Sequence, residues 1–397
     1  MSELSKRILI LGGGFGGLYT ALRLDEFSWS NSHKPEIILV DKSDRFLFSP
    51  LLYELVTGEM QSWEIAPPFD ELLANTNIRF HHGCVSDLNI SDSLVHLDNQ
   101  ETLSYDKLVI ALGGQTPLDF VPGAKEYAIP FRTLQDAYHL GQKLKELEQS
   151  NSEKIRVVVV GGGYSGVELA CKLADRLGER GRIRIVELGE DILNSSPPHN
   201  RNAAKKALEE RLVWIDLETK IEEITADTVS LLYKGQVDTI PADLVLWTVG
   251  TKVSDFIKSL PLPQNRAGKL VTNSFLQAEN HPNIYILGDI ADCRDKNGQQ
   301  VPATAQVALQ QADYCAWNLW ASIMERPMLP FQYQGLGEMM TLGVDNATVN
   351  SLGLKLDGTL AYLTRRLLYL YRFPTLKHRL AVGFNWLTQP IMELLLD

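Results

Sequence analysis

Cysteine is scarce in this chain of 397 residues: Cys84, Cys171, Cys293 and Cys315 are scattered, with no CxxC pair and no metal-ligand grouping. That spacing excludes a dithiol redox pair and gives no reason to expect a metal site. It also suits a reducing compartment. Cys171 follows a glycine motif on a helical pattern, where a small buried residue is expected. Long apolar runs are missing too, so no segment is expected to span a bilayer. Positive charge is outnumbered, with 38 Lys and Arg against 49 Asp and Glu and a net charge of -11, which argues against general nucleic-acid binding. The opening MSELSKR is too short and too polar for a signal peptide.

What the chain does have is one glycine fingerprint written twice. ILILGGGFGGLYTALRL places Gly12, Gly14 and Gly17 in GxGxxG spacing, and VVVVGGGYSGVELACKL repeats it with Gly161, Gly163 and Gly166. In both, an apolar β-branched run precedes the glycines and a helical pattern follows. The first glycine permits the tight turn, the second lets a diphosphate approach the backbone, and the third brings the helix close to its strand. The diphosphate then meets unpaired N–H groups at a helix N-terminus. An acid closes the next strand in each copy, Asp41 in EIILVD and Glu187 in RIRIVE, placed to accept ribose hydroxyls. Neighbouring positions complete the candidate cofactor contacts: Phe15, Gly16 and Lys42 in the first copy, Tyr164 and Ser165 in the second. Gly113 and Gly250 join them from the similar strand ends LVIALG and LVLWTVG.

Two dinucleotide sites suit a flavin in one and a nicotinamide in the other, with hydride passing between them. The predicted fold is α/β with two Rossmann-like domains, the second inserted in the first. Residues 1–120 and 275–345 form the flavin domain, 121–274 the nicotinamide domain, and 346–397 a C-terminal amphipathic membrane-association or dimerisation segment. NIYILGDIADC, with Gly288 and Asp289, reads as the return to the first domain.

This order of motifs resembles the two-dinucleotide-binding-domain flavoproteins, in which the GD turn implies that Asp289 lies near the ribityl and phosphate groups of FAD. An Asp capping the following turn is compatible with the same residues. The disulfide reductase branch requires a cysteine pair that is missing, and the four cysteines do not match the sulfide:quinone oxidoreductases. PATAQVALQQADYCAWNLW carries the AQxAxQ signature of the type II NAD(P)H:quinone oxidoreductases. Gln306 and Gln310, four apart, would present their amides on one helix face beside the flavin ring. The resemblance also implies a role for Glu168 near the nicotinamide and for Glu338 as a proton relay acid, with a solvated loop acid as the alternative for the latter. Stretches such as DRFLFSPLLYELVTGEMQSWEIAPPF and LGEMMTLG resemble more narrowly the cyanobacterial and plastid subgroup that reduces demethylphylloquinone in phylloquinone (vitamin K1) synthesis. With no transit peptide seen, the cyanobacterial type is expected.

The resemblance therefore implies FAD, NAD(P)H as electron donor and a prenylated quinone as acceptor. The runner-up is a respiratory enzyme reducing plastoquinone. A flavin redox sensor or a reductase for a protein partner is the alternative of another class. Glu187 favours NADH and Leu188 supplies no base for a 2'-phosphate, but Arg182, Arg184 and Arg201 are nearby in sequence, so use of both coenzymes is expected. The stretch TLAYLTRRLLYLYRFPTLKHRLAVGFNWLTQPIMELLLD mixes leucine and aromatics with Arg365, Arg366, Arg372, Lys377 and Arg379 against Glu393 and Asp397. Such a tail suits a surface of anionic headgroups. Pro374 and Pro390 are expected to divide it into short helices. Paired tails would make a homodimer, peripheral on the cytoplasmic face of a thylakoid or plasma membrane.

Overall fold

The computed structural model describes residues 6–30, 34–295 and 298–396. The reading of the opening segment falls partly on residues 1–5, and that of the tail partly on Asp397, outside the described residues.

Each glycine fingerprint hangs from the centre of a parallel sheet. In the first sheet the order is Gln277–Ala278, His281–Ile286, Lys107–Ile110, Arg7–Leu11, Glu36–Asp41 and Ile78–His82, parallel apart from the outermost pair. The second runs Trp214–Asp216, Gly181–Val186, Ile155–Val160, Leu244–Trp247 and Ala128–Pro130, all parallel. Central strands are covered on both faces, so they are continuously apolar: Ile8 to Leu11 and Val157 to Val160 are buried. A three-stranded antiparallel sheet precedes the LVIALG strand (85–104) and another precedes the LVLWTVG strand (219–241). The internal repeat is thus one of topology as well as of motif. The strand His281–Ile286 pairs with Lys107–Ile110, so the chain returns to the first sheet just before the GD turn.

A third antiparallel sheet, Glu338–Thr341, Ala347–Ser351 and Leu354–Asp357, leads into two tail helices, Gly358–Arg372 and Leu376–Leu396. Pro374 separates them as expected. Pro390 does not end the second: removing one N–H leaves the flanking hydrogen bonds in place, and the helix runs through it. No helix of the described residues is long and apolar enough to cross a membrane.

The closeness of each fingerprint helix to its own turn is fixed by the last glycine. A Cβ on Gly17 would lie 1.8 Å from the Gly12 carbonyl oxygen, and one on Gly166 would lie 1.9 Å from that of Gly161. Gly17→Ala is therefore expected to destabilise the protein by about 3 kcal/mol. Gly14→Ala, whose Cβ meets no atom within 4 Å, should melt with the parent protein in flavin-free thermal unfolding.

Candidate active site

Gly12 and Gly161 sit at φ +100° and +105°, turning the chain from strand to helix. The helices Phe15–Glu26 and Tyr164–Leu177 start at once, with the Leu18 amide donating to Gly14 and that of Val167 to Gly163. At Gly14 and Gly163 an added Cβ would meet no protein atom, so each turn leaves an open cradle in front of a helix N-terminus. That geometry fits a dinucleotide diphosphate in both copies.

The two acids are built alike. Asp41 accepts from the Gly13 amide at 2.5 Å and the Ser43 amide at 2.7 Å; Glu187 accepts from the Gly162 amide at 2.6 Å and the Gly189 amide at 2.7 Å. Each carboxylate is held against its glycine turn. Arg182, Arg184 and Arg201 are engaged elsewhere: Arg182 on backbone carbonyls, Arg184 on Asp216, and Arg201 on the carbonyls of Leu193, Asn194 and Ser196.

Around the first cradle, Gly16 lies close to Leu287 and Ala111, and Gly113 takes φ +66° over open space. The Phe15 ring packs at 5.3 Å from both Phe46 and Phe48, leaving its backbone at the cradle. Beyond Asp41, Lys42, His82, Gly83 and Cys84 line a depression of about 420 Å³. Asp289 on the GD turn pairs with Arg132 at 2.5 Å, and the Gly288 amide is held by the buried Gln311 at 2.8 Å. In the second copy, Ser165 accepts from the Tyr53 hydroxyl at 2.8 Å and Gly250 turns at φ +79°.

Gln306 and Gln310 do share a helix face, but their amides do not stand free. Gln306 accepts from the Tyr333 hydroxyl at 2.8 Å and the Leu336 amide at 3.2 Å, and donates to the Gly337 carbonyl at 3.2 Å. Gln310 exchanges two bonds with the Gln334 backbone, at 2.8 and 3.0 Å. Each amide has a donor and an acceptor to satisfy, and the adjacent peptide groups supply both. The pair thus laces down the segment 333–337 that delivers Glu338. That acid opens a strand instead of lying in a solvated loop; it accepts from the Tyr164 hydroxyl and from Ser196 at 2.7 Å. Burial, then this carboxylate, raises the Tyr164 phenol.

Glu168 is buried on the second fingerprint helix, accepts from the Thr341 amide at 2.9 Å and lies 3.7 Å from Arg365. Arg365 is fully buried, donates to Glu54 at 2.6 Å and to the Pro50 carbonyl at 2.8 Å. Composition counts Arg365 among the tail bases that suit an anionic surface; it is instead turned inward to neutralise buried acids. Lys172, one turn beyond Glu168 and fully buried, contacts both Glu54 and Glu59. Burial works to raise the Glu54 carboxyl, but Arg365 and Lys172 outweigh it and hold it well below the usual range. Burial and the neighbouring Glu54 raise Glu59. Burial pushes Glu168 up to about 7, against Arg365 and the Thr341 amide. Sequence reasoning missed Glu54, Glu59 and Lys172; the one available signal was a lysine four residues after Glu168 on an apolar helix.

The raised Glu168 carboxyl has a consequence for stability. In the window from the ordinary 4.5 up to about 7 the folded state keeps a proton that the unfolded state has released, so stability falls as pH rises and then levels off. Denaturant unfolding of Glu168→Gln should lack this decline, which amounts to about 3 kcal/mol by linkage. An identical slope in both proteins would show that Glu168 is ionised throughout.

The model of the family described as pyridine nucleotide-disulphide oxidoreductase matches residues 6–312. The chain is 58% identical to demethylphylloquinone reductase NdbB of Synechocystis, over 98% of both chains. It is 42% identical to alternative NAD(P)H-ubiquinone oxidoreductase C1, chloroplastic/mitochondrial, of Arabidopsis thaliana, over 98% of this chain and 81% of that one. Among solved structures, NDH2 of Plasmodium falciparum in complex with NADH superposes with a TM-score of 0.86 at 18% identity, covering 98% of each chain.

Proposed function

The chain belongs to the pyridine nucleotide-disulphide oxidoreductase family, within its type II NAD(P)H:quinone oxidoreductases, and from that premise we propose that it reduces demethylphylloquinone in phylloquinone synthesis. The observation that carries the reading is the pair of open glycine cradles joined to near full-length similarity to a demethylphylloquinone reductase. FAD, when bound, supplies the two-electron chemistry between nicotinamide and quinone.

The chain's own residues bind, orient and manage protons. Gly12, Gly14 and Gly17 with Asp41 and Asp289 would hold FAD, and Gly161, Gly163 and Gly166 with Glu187 would hold NAD(P)H. The flavin domain is read as residues 1–120 and 275–345 around the insertion 121–274. Glu187, with no free arginine among the three considered, disfavours a 2'-phosphate while leaving NADPH usable. Glu187→Gln should raise the NADPH to NADH ratio of kcat/KM roughly tenfold. Glu338, tied to Tyr164, is the acid read as the proton relay; Glu168, read as lying near the nicotinamide, is a buried carboxyl that burial makes slow to give up its proton, and it would serve quinone protonation as well.

Segment 346–397 is read as the membrane-surface and homodimer element, on the cytoplasmic face of a thylakoid or plasma membrane. An apolar groove of about 1090 Å³ lies between its helices, and Leu367, Leu380, Phe384 and Leu387 are exposed there. Arg366 and Arg379 sit beside the groove, stacked on Trp386 and Tyr371. Leu380→Glu with Phe384→Glu should abolish flotation with anionic phosphatidylglycerol vesicles and leave bleaching of the flavin by NADH intact.

Anaerobic stopped-flow tests the activity itself. Flavin-loaded protein should bleach with NADH or NADPH and reoxidise faster with a demethylphylloquinone analogue than with a plastoquinone analogue. Preference for plastoquinone would favour a respiratory role, and no reoxidation by either quinone would remove the assignment.

A further inference from the structure

The buried cluster holds three carboxylates, Glu54, Glu59 and Glu168, and two cations, Lys172 and Arg365. Its charges balance when one carboxylate carries a proton. The groups come from three parts of the chain: the loop after the first acidic strand, the second fingerprint helix, and the first tail helix. Glu168 faces Arg365, Glu54, Lys172 and the Thr341 amide, with Tyr53, Tyr164 and Tyr369 close enough to feel its charge.

If Glu168 yields its proton at the quinone, one negative charge is left uncompensated in the interior, which is strongly unfavourable until the proton is restored. Of the three carboxylates, Glu59 is the most open, with 12% of its side chain exposed against 1% for Glu54 and 9% for Glu168. The Glu168 side chain, moreover, is enclosed by the groups just named. Glu59 lies against Lys172, Lys172 against Glu54, and Glu54 and Glu168 share the Arg365 guanidinium.

We propose that Glu59 is the solvent-facing end of a proton path, with Lys172 as its shuttle, through which Glu168 regains the proton it gives up. This rests on the quinone-reducing reading. Quinone takes two electrons, originating in NAD(P)H, and two protons to become quinol. One of those protons leaves the Glu168 carboxyl as its O–H bond breaks and a quinol O–H forms; the other is the hydrogen nucleus that NAD(P)H gives up with the electron pair. Glu59 takes a proton from water; Lys172 passes one of its own protons to Glu54 and accepts the one on Glu59; Glu54, which meets Glu168 only across the Arg365 guanidinium, then turns its protonated carboxyl past that group to hand the proton to Glu168. Lys172 ends with the charge it began with, and Arg365 keeps its proton throughout.

The test reads the proton directly, on the flavin-loaded full chain, and does not depend on quinone turnover. The protonated-carboxyl carbonyl band that Glu168→Gln removes is followed by infrared spectroscopy after transfer into D2O. Glu59→Gln should slow its hydrogen–deuterium exchange roughly tenfold or more, and Glu59→Asp should restore it. Lys172→Arg keeps the charge but holds its protons too tightly to relay them, so it should slow exchange as well. A variant that merely loosened the cluster would speed exchange. Unchanged or faster exchange in folded Glu59→Gln and Lys172→Arg overturns the path, as does slowing by Tyr164→Phe or Glu338→Gln in their place. Stopped-flow reoxidation of the parent protein by quinone is run beside it: its failure would remove the quinone reading, while the exchange data would still report how Glu168 meets solvent.

Discussion

Burying Arg365 is the constraint on which much of this molecule turns. A guanidinium out of water is tolerable only with carboxylates and carbonyls around it, and Glu54, Glu168 and the Pro50 carbonyl surround this one. These partners belong to different parts of the chain, so satisfying one charge fixes the tail helix, the loop after the first acidic strand and the second fingerprint helix against one another. Neighbouring contacts reinforce the arrangement. Glu64, also buried, accepts from Asn385 at 3.1 Å and Trp386 at 2.8 Å, and the Phe48 ring meets Tyr369 edge-on and packs at a tilt against Phe373. The outward face of the tail can then be apolar because its inward face is held by polar contacts.

The same constraint sets the protonation of Glu168. With two cations and three carboxylates, the resting cluster has room for one proton, and Glu168 is the group whose burial is least compensated. An acid held near neutrality inside a protein is suited to proton transfer at working pH. Glu338 has a different environment, bonded to two hydroxyls at the junction of the second fingerprint helix with the third sheet.

The nucleotide-binding framework was legible in the sequence because its physics is local. A glycine forced to positive φ, another facing an empty cradle and a third beneath a helix leave a fixed spacing, and an acid at the end of the adjacent strand completes it. Gly12, Gly14, Gly17 and Asp41, and their counterparts in the second copy, appear where that spacing puts them. The charge cluster was not legible, because Glu54, Glu59, Lys172 and Arg365 meet only through tertiary packing. Arg365 read as one more base on an amphipathic tail, since composition does not record which side of a helix turns inward. Gln306 and Gln310 share one helix face, as their spacing predicts, but their partners lie in an irregular segment, 333–337, whose path periodicity does not reveal. Pro390 shows the limit of a breaker rule where the helix continues around a single missing donor.

The most direct test of the account is a pH titration of the Glu168 carboxyl in the flavin-loaded protein, followed by its infrared carbonyl band with Glu168→Gln as the reference. The carboxyl is expected to be protonated at rest and to titrate at about 7. A band that disappears near the ordinary carboxylate range, around 4.5, would mean that the cluster carries its third negative charge at rest, and would contradict this expectation.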